Sequence, residues 1–119
     1  MNFIRVGALA GLLAVAFGAF GAHALRERLA PEMQSVFQTG VLYHLVHALA
    51  VLGVGILADR NPSGALTTSG WAFTAGLLLF SGSLYALAVT GMRVLGAVTP
   101  IGGVAFLVGW IALAWSTVR

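Results

Sequence analysis

Four apolar runs alternate with short polar stretches along the chain, over residues 6–24, 41–58, 71–90 and 100–118. Each is close to the ~20 residues a helix needs to cross the hydrocarbon core of a bilayer. The connecting segments RERLAPEMQS, DRNPSGALTTSG and GMRVLGAVT hold nearly all the charge and most of the turn-forming residues. Uninterrupted runs lack the alternation of barrel strands, and hydrocarbon admits only helices or closed barrels. The pattern therefore predicts an all-α fold, an integral-membrane four-helix bundle in up-down order, with residues 1–119 as a single transmembrane domain. Pro31 suits a first helical turn, so residues 31–39 are expected to form an interfacial helix before Gly40 and the second span proper. Thr99 and Pro100 read as N-cap and first residue of the fourth helix, with Gly102 and Gly103 permitting close backbone approach.

Composition closes off the alternatives to a membrane protein. Of 119 residues, 60% are hydrophobic and only 8% charged, against ~25% charged in soluble domains, so water could not solvate this surface. Four spans and short loops use up the length and leave no room for an extramembrane catalytic domain. The formal charge of +3 comes from six scattered arginines and three acids, which form no clustered basic stripe, so nucleic acid is not an expected partner. The chain has no cysteine, which removes disulfides, iron–sulfur clusters and thiolate metal sites.

The first run imitates a secretory signal, since Arg5 precedes it and Ala22-His23-Ala24 has a small-x-small form. Its apolar stretch exceeds the ~7–15 residues of a signal core, which favours a retained first helix. Orientation is nearly balanced. With alternating spans Arg5, Arg60 and Arg119 share one side, and Arg26, Arg28 and Arg93 share the other. The N-terminal amine tips this tie toward both termini inside, and the same tie suits a dual-topology protein.

Polar side chains are distributed unevenly across the spans. The half near the first and third loops contains His23, Tyr43, His44, His47, Ser81, Ser83, Tyr85 and Thr99, whereas the opposite half, Thr74 apart, is dry. Polar groups in lipid turn toward the bundle interior and find partners, so a polar cluster in that half is expected. His44 and His47 are three apart on one helical face, and with His23 they make a candidate metal or haem ligand set. The acids Glu27, Glu32 and Asp59 fall in loops or interfaces, so no carboxylate is at hand to orient a ligating histidine. A hydrogen-bonded network is the simpler reading. Ser81 or Ser83 as a nucleophile would need His47 as its base, with no acidic orienter, so small residues at a helix contact explain this segment better. Gly7, Gly11, Ala14 and Gly18 draw a small-residue ridge, a packing seam inside the bundle or between copies. Trp110 lies deeper than a belt tryptophan should.

The blocks GAFGAHAL, TGVLYHLVHALA, LFSGSLYALAVTG and TPIGGVAFLVGW, in this order over essentially the whole chain, resemble the DUF423 (UPF0382) family, which includes bacterial inner-membrane proteins and the transmembrane protein 256 group. The resemblance implies a four-span protein of a bacterial inner membrane and carries no reaction with it. It places emphasis on His23, Tyr43, His47, Ser81, Ser83, Tyr85, Thr99, Pro100, Gly102 and Gly103, while the family pattern tolerates glutamine at position 44.

Three functions compete. The leading expectation is a non-enzymatic bundle that binds a lipid, small ligand or partner through His23, Tyr43, His47, Ser81, Ser83, Tyr85, Arg93 and Thr99. The amides at the start of the fourth helix would receive an anionic group there, helped by Arg26, Arg28 or Arg93 at the interface. No catalytic residue and no cofactor is assigned, and the expected partners are membrane lipids and a membrane-protein partner or second copy. The alternatives are a haem- or metal-binding redox subunit using His23, His44 and His47, and a small dual-topology transporter or channel. The spans contain no acid, which disfavours proton-coupled cation export.

Overall fold

A computed structural model describes residues 2–118. Met1 and Arg119, counted above in the domain bounds and the charge balance, lie outside the described residues. The elements are α1 (Phe3–His23), α2 (Pro31–Arg60), α3 (Gly64–Gly76), a π-helical turn (Leu77–Ser81), α4 (Gly82–Thr90), a 3-10 helix (Arg93–Ala97) and α5 (Thr99–Trp115). The third span is α3, the π turn and α4 run together. Four helical segments, Phe3–His23, Pro31–Arg60, Gly64–Thr90 and Arg93–Trp115, are long and apolar enough to cross a membrane.

Local chemistry explains the ends. Asn2 accepts a hydrogen bond from the Arg5 amide at 3.2 Å, and Ser63 accepts one from the Leu66 amide at 3.2 Å, the usual role of side-chain oxygens before a helix. Gly91, at φ 72°, takes the left-handed conformation that stops α4, which a residue with a Cβ resists.

Four expectations are corrected. Residues 31–39 are not a separate helix: α2 runs unbroken for 30 residues, about 45 Å at 1.5 Å per residue, and so overshoots a ~30 Å core. Gly40 is small for contact rather than for a break, because a Cβ there would come 2.9 Å from the Tyr85 ring. The second loop is shorter than its polar composition suggests, since the Ser63 cap starts α3 at Gly64 rather than near 71. Thr99 is already helical and caps nothing; the 3-10 helix feeds α5 directly, and the Val98 carbonyl accepts from the Ile101 and Gly102 amides at 3.1 and 3.3 Å. Two of the amides expected to be free for an anion are thus engaged.

α1 packs along α2, α5 along the third span, and α2 against the third span between them. The result is a flattened bundle of 50 × 26 × 18 Å. Burial records the same arrangement: 44% of the α2 core window and 39% of that in the third span are buried, against 17% in each outer helix. Glycines set the closest crossings. A Cβ on Gly7 would stand 2.5 Å from the Leu52 amide nitrogen, and one on Gly102 would enter the Phe80 backbone. The small-residue ridge of α1 is therefore an internal seam. Gly7, Ala14 and Gly21 are buried, whereas Gly11 has open space beside it. Between the helices Phe3, Val51, Val54, Leu66, Phe73, Leu77 and Phe106 form the main apolar core.

Candidate functional site

The polar half predicted from sequence divides into three separate groups. The first stitches helices together. Ser81 donates to the Gly40 carbonyl at 2.9 Å, joining the π turn to α2, and Ser83 bonds the Phe80 carbonyl at 2.9 Å and the Thr99 hydroxyl at 2.6 Å, joining α4 to α5. Ser69, which sequence reasoning left in a loop, does the same deep in the other half by donating to the Gly109 carbonyl at 2.8 Å. Neither Ser81 nor Ser83 is hydrogen-bonded to His47.

The second group surrounds His47, which is buried on the α2 face toward α5. Its Nδ1 donates to the Tyr43 carbonyl at 2.8 Å, and its Nε2 accepts from the Trp110 indole at 3.0 Å. These two bonds define a neutral ring with its proton on Nδ1. Phe106 stacks on it with centroids 3.6 Å apart, and the Tyr43 ring, itself part exposed, leans on Phe80 at 4.5 Å. Trp110 sits deep because its indole has this partner. The signal was present in the sequence as a tryptophan out of place for an interfacial belt.

The third group is His44 with Tyr85. His44 Nδ1 lies 2.8 Å from the Tyr85 hydroxyl, and Phe17 and Phe37 hold the phenol ring from two sides at centroid distances of 4.8 and 4.9 Å. Although His44 and His47 both lie on the buried side of α2, they diverge, His44 toward α1 and α4 and His47 toward α5. His23 is exposed at the end of α1 and joins neither. The expected three-histidine set is therefore not assembled: among the described residues no three His, Cys, Asp or Glu side chains converge as a metal site would require. Both nitrogens of His47 are also engaged within the protein. Arg93 is exposed as well and lines, with Glu32, Met33 and Leu87, a separate depression of about 430 Å³ near the first and third loops.

The His44–Tyr85 pair forms the floor of the largest concavity described, a groove of about 680 Å³ running between α1 and the third span. Val6 and Leu13 form one wall, Leu78 and Val89 the other, and Gly82 leaves a gap beside them. Nothing lies within 4 Å of a Cβ added at Gly82. Thr74, the polar exception in the dry half, faces the groove with its hydroxyl bonded to the Gly70 carbonyl at 2.7 Å. No charged side chain lines the groove. Its floor is deep: Gly7 stands against Leu52 and Gly18 against Val41, which sets His44 level with Val15. That is two residues, about 3 Å, from the middle of α1. The volume falls within the ~300–1,000 Å³ of small-molecule sites, which typically combine apolar walls with few polar groups.

Comparison with known proteins identifies the family. Residues 17–103 match the family model described as "Protein of unknown function (DUF423)". The chain is 49% identical over 118 residues to the UPF0382 membrane protein YwdK of Bacillus subtilis, covering 98% of this chain and 96% of that one. It is 44% identical to UPF0382 membrane proteins of Staphylococcus saprophyticus and Haemophilus influenzae, covering 98% and 99% of this chain and 97% and 94% of theirs. No solved structure matches. With these relatives matched almost end to end and four helices suited to crossing a bilayer, the chain belongs to the DUF423 (UPF0382) family of small multi-pass membrane proteins.

Proposed function

We propose that this protein is a non-enzymatic, membrane-embedded binding protein whose guest enters from the lipid into the groove between α1 and the third span. One observation carries the reading. The flattened packing leaves a 680 Å³ apolar trough open along the bundle, and its floor holds a hydrogen-bonded histidine and tyrosine near mid-bilayer. Ionisable side chains at that depth are costly, by ~2.5–3.5 kcal/mol for a charged one on insertion scales, and tend to mark functional positions. The serines, by contrast, are accounted for as helix staples, and His47 by its two bonds.

Gly82 provides the test, because it lines the groove and a Cβ there meets nothing within 4 Å. Native mass spectrometry of protein extracted gently into lipid nanodiscs is expected to show a discrete retained mass on the wild type. Gly82→Leu is expected to lose it. Gly53→Leu, at an equally uncrowded glycine outside the groove, is expected to keep it. A bare wild-type chain, or equal retention by both variants, would overturn the proposal. We place the protein in the bacterial inner membrane with both termini inside, the side toward which the N-terminal amine tips an otherwise even arginine count.

A further inference from the structure

A second concavity lies apart from the groove, and we infer that it holds the head of a phosphoethanolamine lipid, with Arg93 on the phosphate and Glu32 on the ammonium. It is the depression of about 430 Å³ near the first and third loops. Glu32, Met33 and Val36 line it from α2, Leu87 and Gly91 from the end of α4, and Arg93 from the start of the 3-10 helix. The depression and the groove share no lining residue, so either can be filled while the other is empty.

The depression has a direction along the membrane normal. α2 enters the bilayer from its Pro31 end, so Val36 lies one helical turn, about 6 Å, deeper than Glu32. α4 leaves the bilayer at its Thr90 end, so Leu87 lies about 6 Å deeper than Gly91, with Arg93 beyond the helix. Both walls therefore run from apolar inside to charged at the rim. That is the polarity of a lipid in its leaflet, with chains toward the core and head in the interfacial layer.

The two charges at the rim select among heads. A guanidinium matches a phosphate with two parallel N–H bonds, and a carboxylate accepts from the three N–H donors of a primary ammonium. Both side chains are exposed, so they reach a head without breaking a buried arrangement. Gln34, two residues beyond Glu32, is committed to the carbonyls of Arg26 and Leu29. The quaternary ammonium of phosphatidylcholine has no N–H to give Glu32. Phosphatidylglycerol has no cation, and would bring its phosphate beside that carboxylate with nothing to neutralise it.

The test titrates purified full-length protein in detergent with phosphatidylethanolamine, phosphatidylcholine or phosphatidylglycerol of identical chains, one at a time, and reads the first bound lipid by native mass spectrometry. The wild type is expected to bind phosphatidylethanolamine about three- to tenfold more tightly than either other lipid, between the worth of an exposed ion pair and that of a charge-assisted hydrogen bond. Glu32→Gln is expected to lose that preference while still binding phosphatidylglycerol, a redistribution that damage to the fold would not produce. Arg93→Gln is expected to weaken all three lipids. Glu27→Gln and Arg28→Gln remove the same charges from exposed positions in the first loop outside the depression, and are expected to change nothing. Equal affinity of the wild type for the three lipids, preference for phosphatidylglycerol, or an undiminished preference in Glu32→Gln would overturn the proposal. Glycerophosphoethanolamine, the same head without chains, is expected not to displace the bound lipid; displacement at equal concentration would overturn a lipid as the occupant.

Discussion

At the scale of single residues, the glycines divide sharply by what stands opposite them. A Cβ on Gly102 would run into the Phe80 backbone, which cannot rotate aside as a side chain can, while at Gly103 the nearest atom, on the Phe80 ring, is 3.8 Å away. Gly102→Ala is therefore expected to destabilise the protein by about 1–3 kcal/mol through overpacking, and Gly103→Ala to leave the melting temperature nearly unchanged. Thermal unfolding of the two variants in the same detergent checks this. Equal melting temperatures would mean that α5 and the third span do not approach as closely as described. The histidines differ in a parallel way. His47 has both nitrogens bonded inside the protein, so its role is to hold α2, Tyr43 and Trp110 in register. His44 bonds the Tyr85 hydroxyl through Nδ1 and lines the groove, which His47 does not.

At the scale of elements, the π turn at Leu77–Ser81 is the device that makes the third span serve two neighbours. A π turn carries one more residue than the α-helical turn it replaces, so the helix before and after it presents different faces than a continuous α-helix would. Ahead of it Ser69 and Phe73 meet α5, and after it Ser83 still reaches Thr99 while Tyr85 reaches His44 and Phe37. Removing one residue inside the turn should restore α geometry and keep both flanking faces. Deleting the lipid-exposed Leu78 is accordingly expected to preserve a cooperative melt, whereas deleting Ala72 swings the following helix by about 100° and is expected to abolish it. Loss of the fold in both deletions would contradict this account. Such a turn was not legible in the sequence, because LLLFS carries no period that separates i+4 from i+5 bonding. The four spans were legible, since hydropathy alone reports them. The polar residues were also found, but their grouping was not: three residues apart on α2 looked like one face, while the burial of α2 on two sides lets His44 and His47 turn to different neighbours. Ser69 was missed because a serine beside Thr67, Thr68 and Gly70 reads as loop until the Ser63 cap is known to start the helix early.

At the scale of the whole molecule, a flattened bundle follows from putting the two most polar helices together. α2 and the third span carry the buried histidines and serines and pack on each other, while α1 and α5 give most of their surface to lipid. The groove is the consequence of that choice, since α1 leans on α2 and leaves the third span open along its flank. The extra length of α2 makes the molecule asymmetric across the bilayer: its Pro31 end continues beyond the core together with the turn that holds Gln34 to the carbonyls of Arg26 and Leu29. This asymmetry gives orientation a clean readout, because the chain has no cysteine of its own. Four crossings put residues 2 and 117 on one side and residues 27 and 93 on the other. In intact cells, single cysteines at Glu27 and Arg93 are expected to react with an impermeant maleimide, and those at Asn2 and Thr117 only after lysis, if both termini are inside. The reverse pattern would invert the proposed orientation, and labelling of all four positions in intact cells would mean that both orientations coexist. In the last case the groove would open toward each leaflet in equal measure, and a guest could enter it from either one.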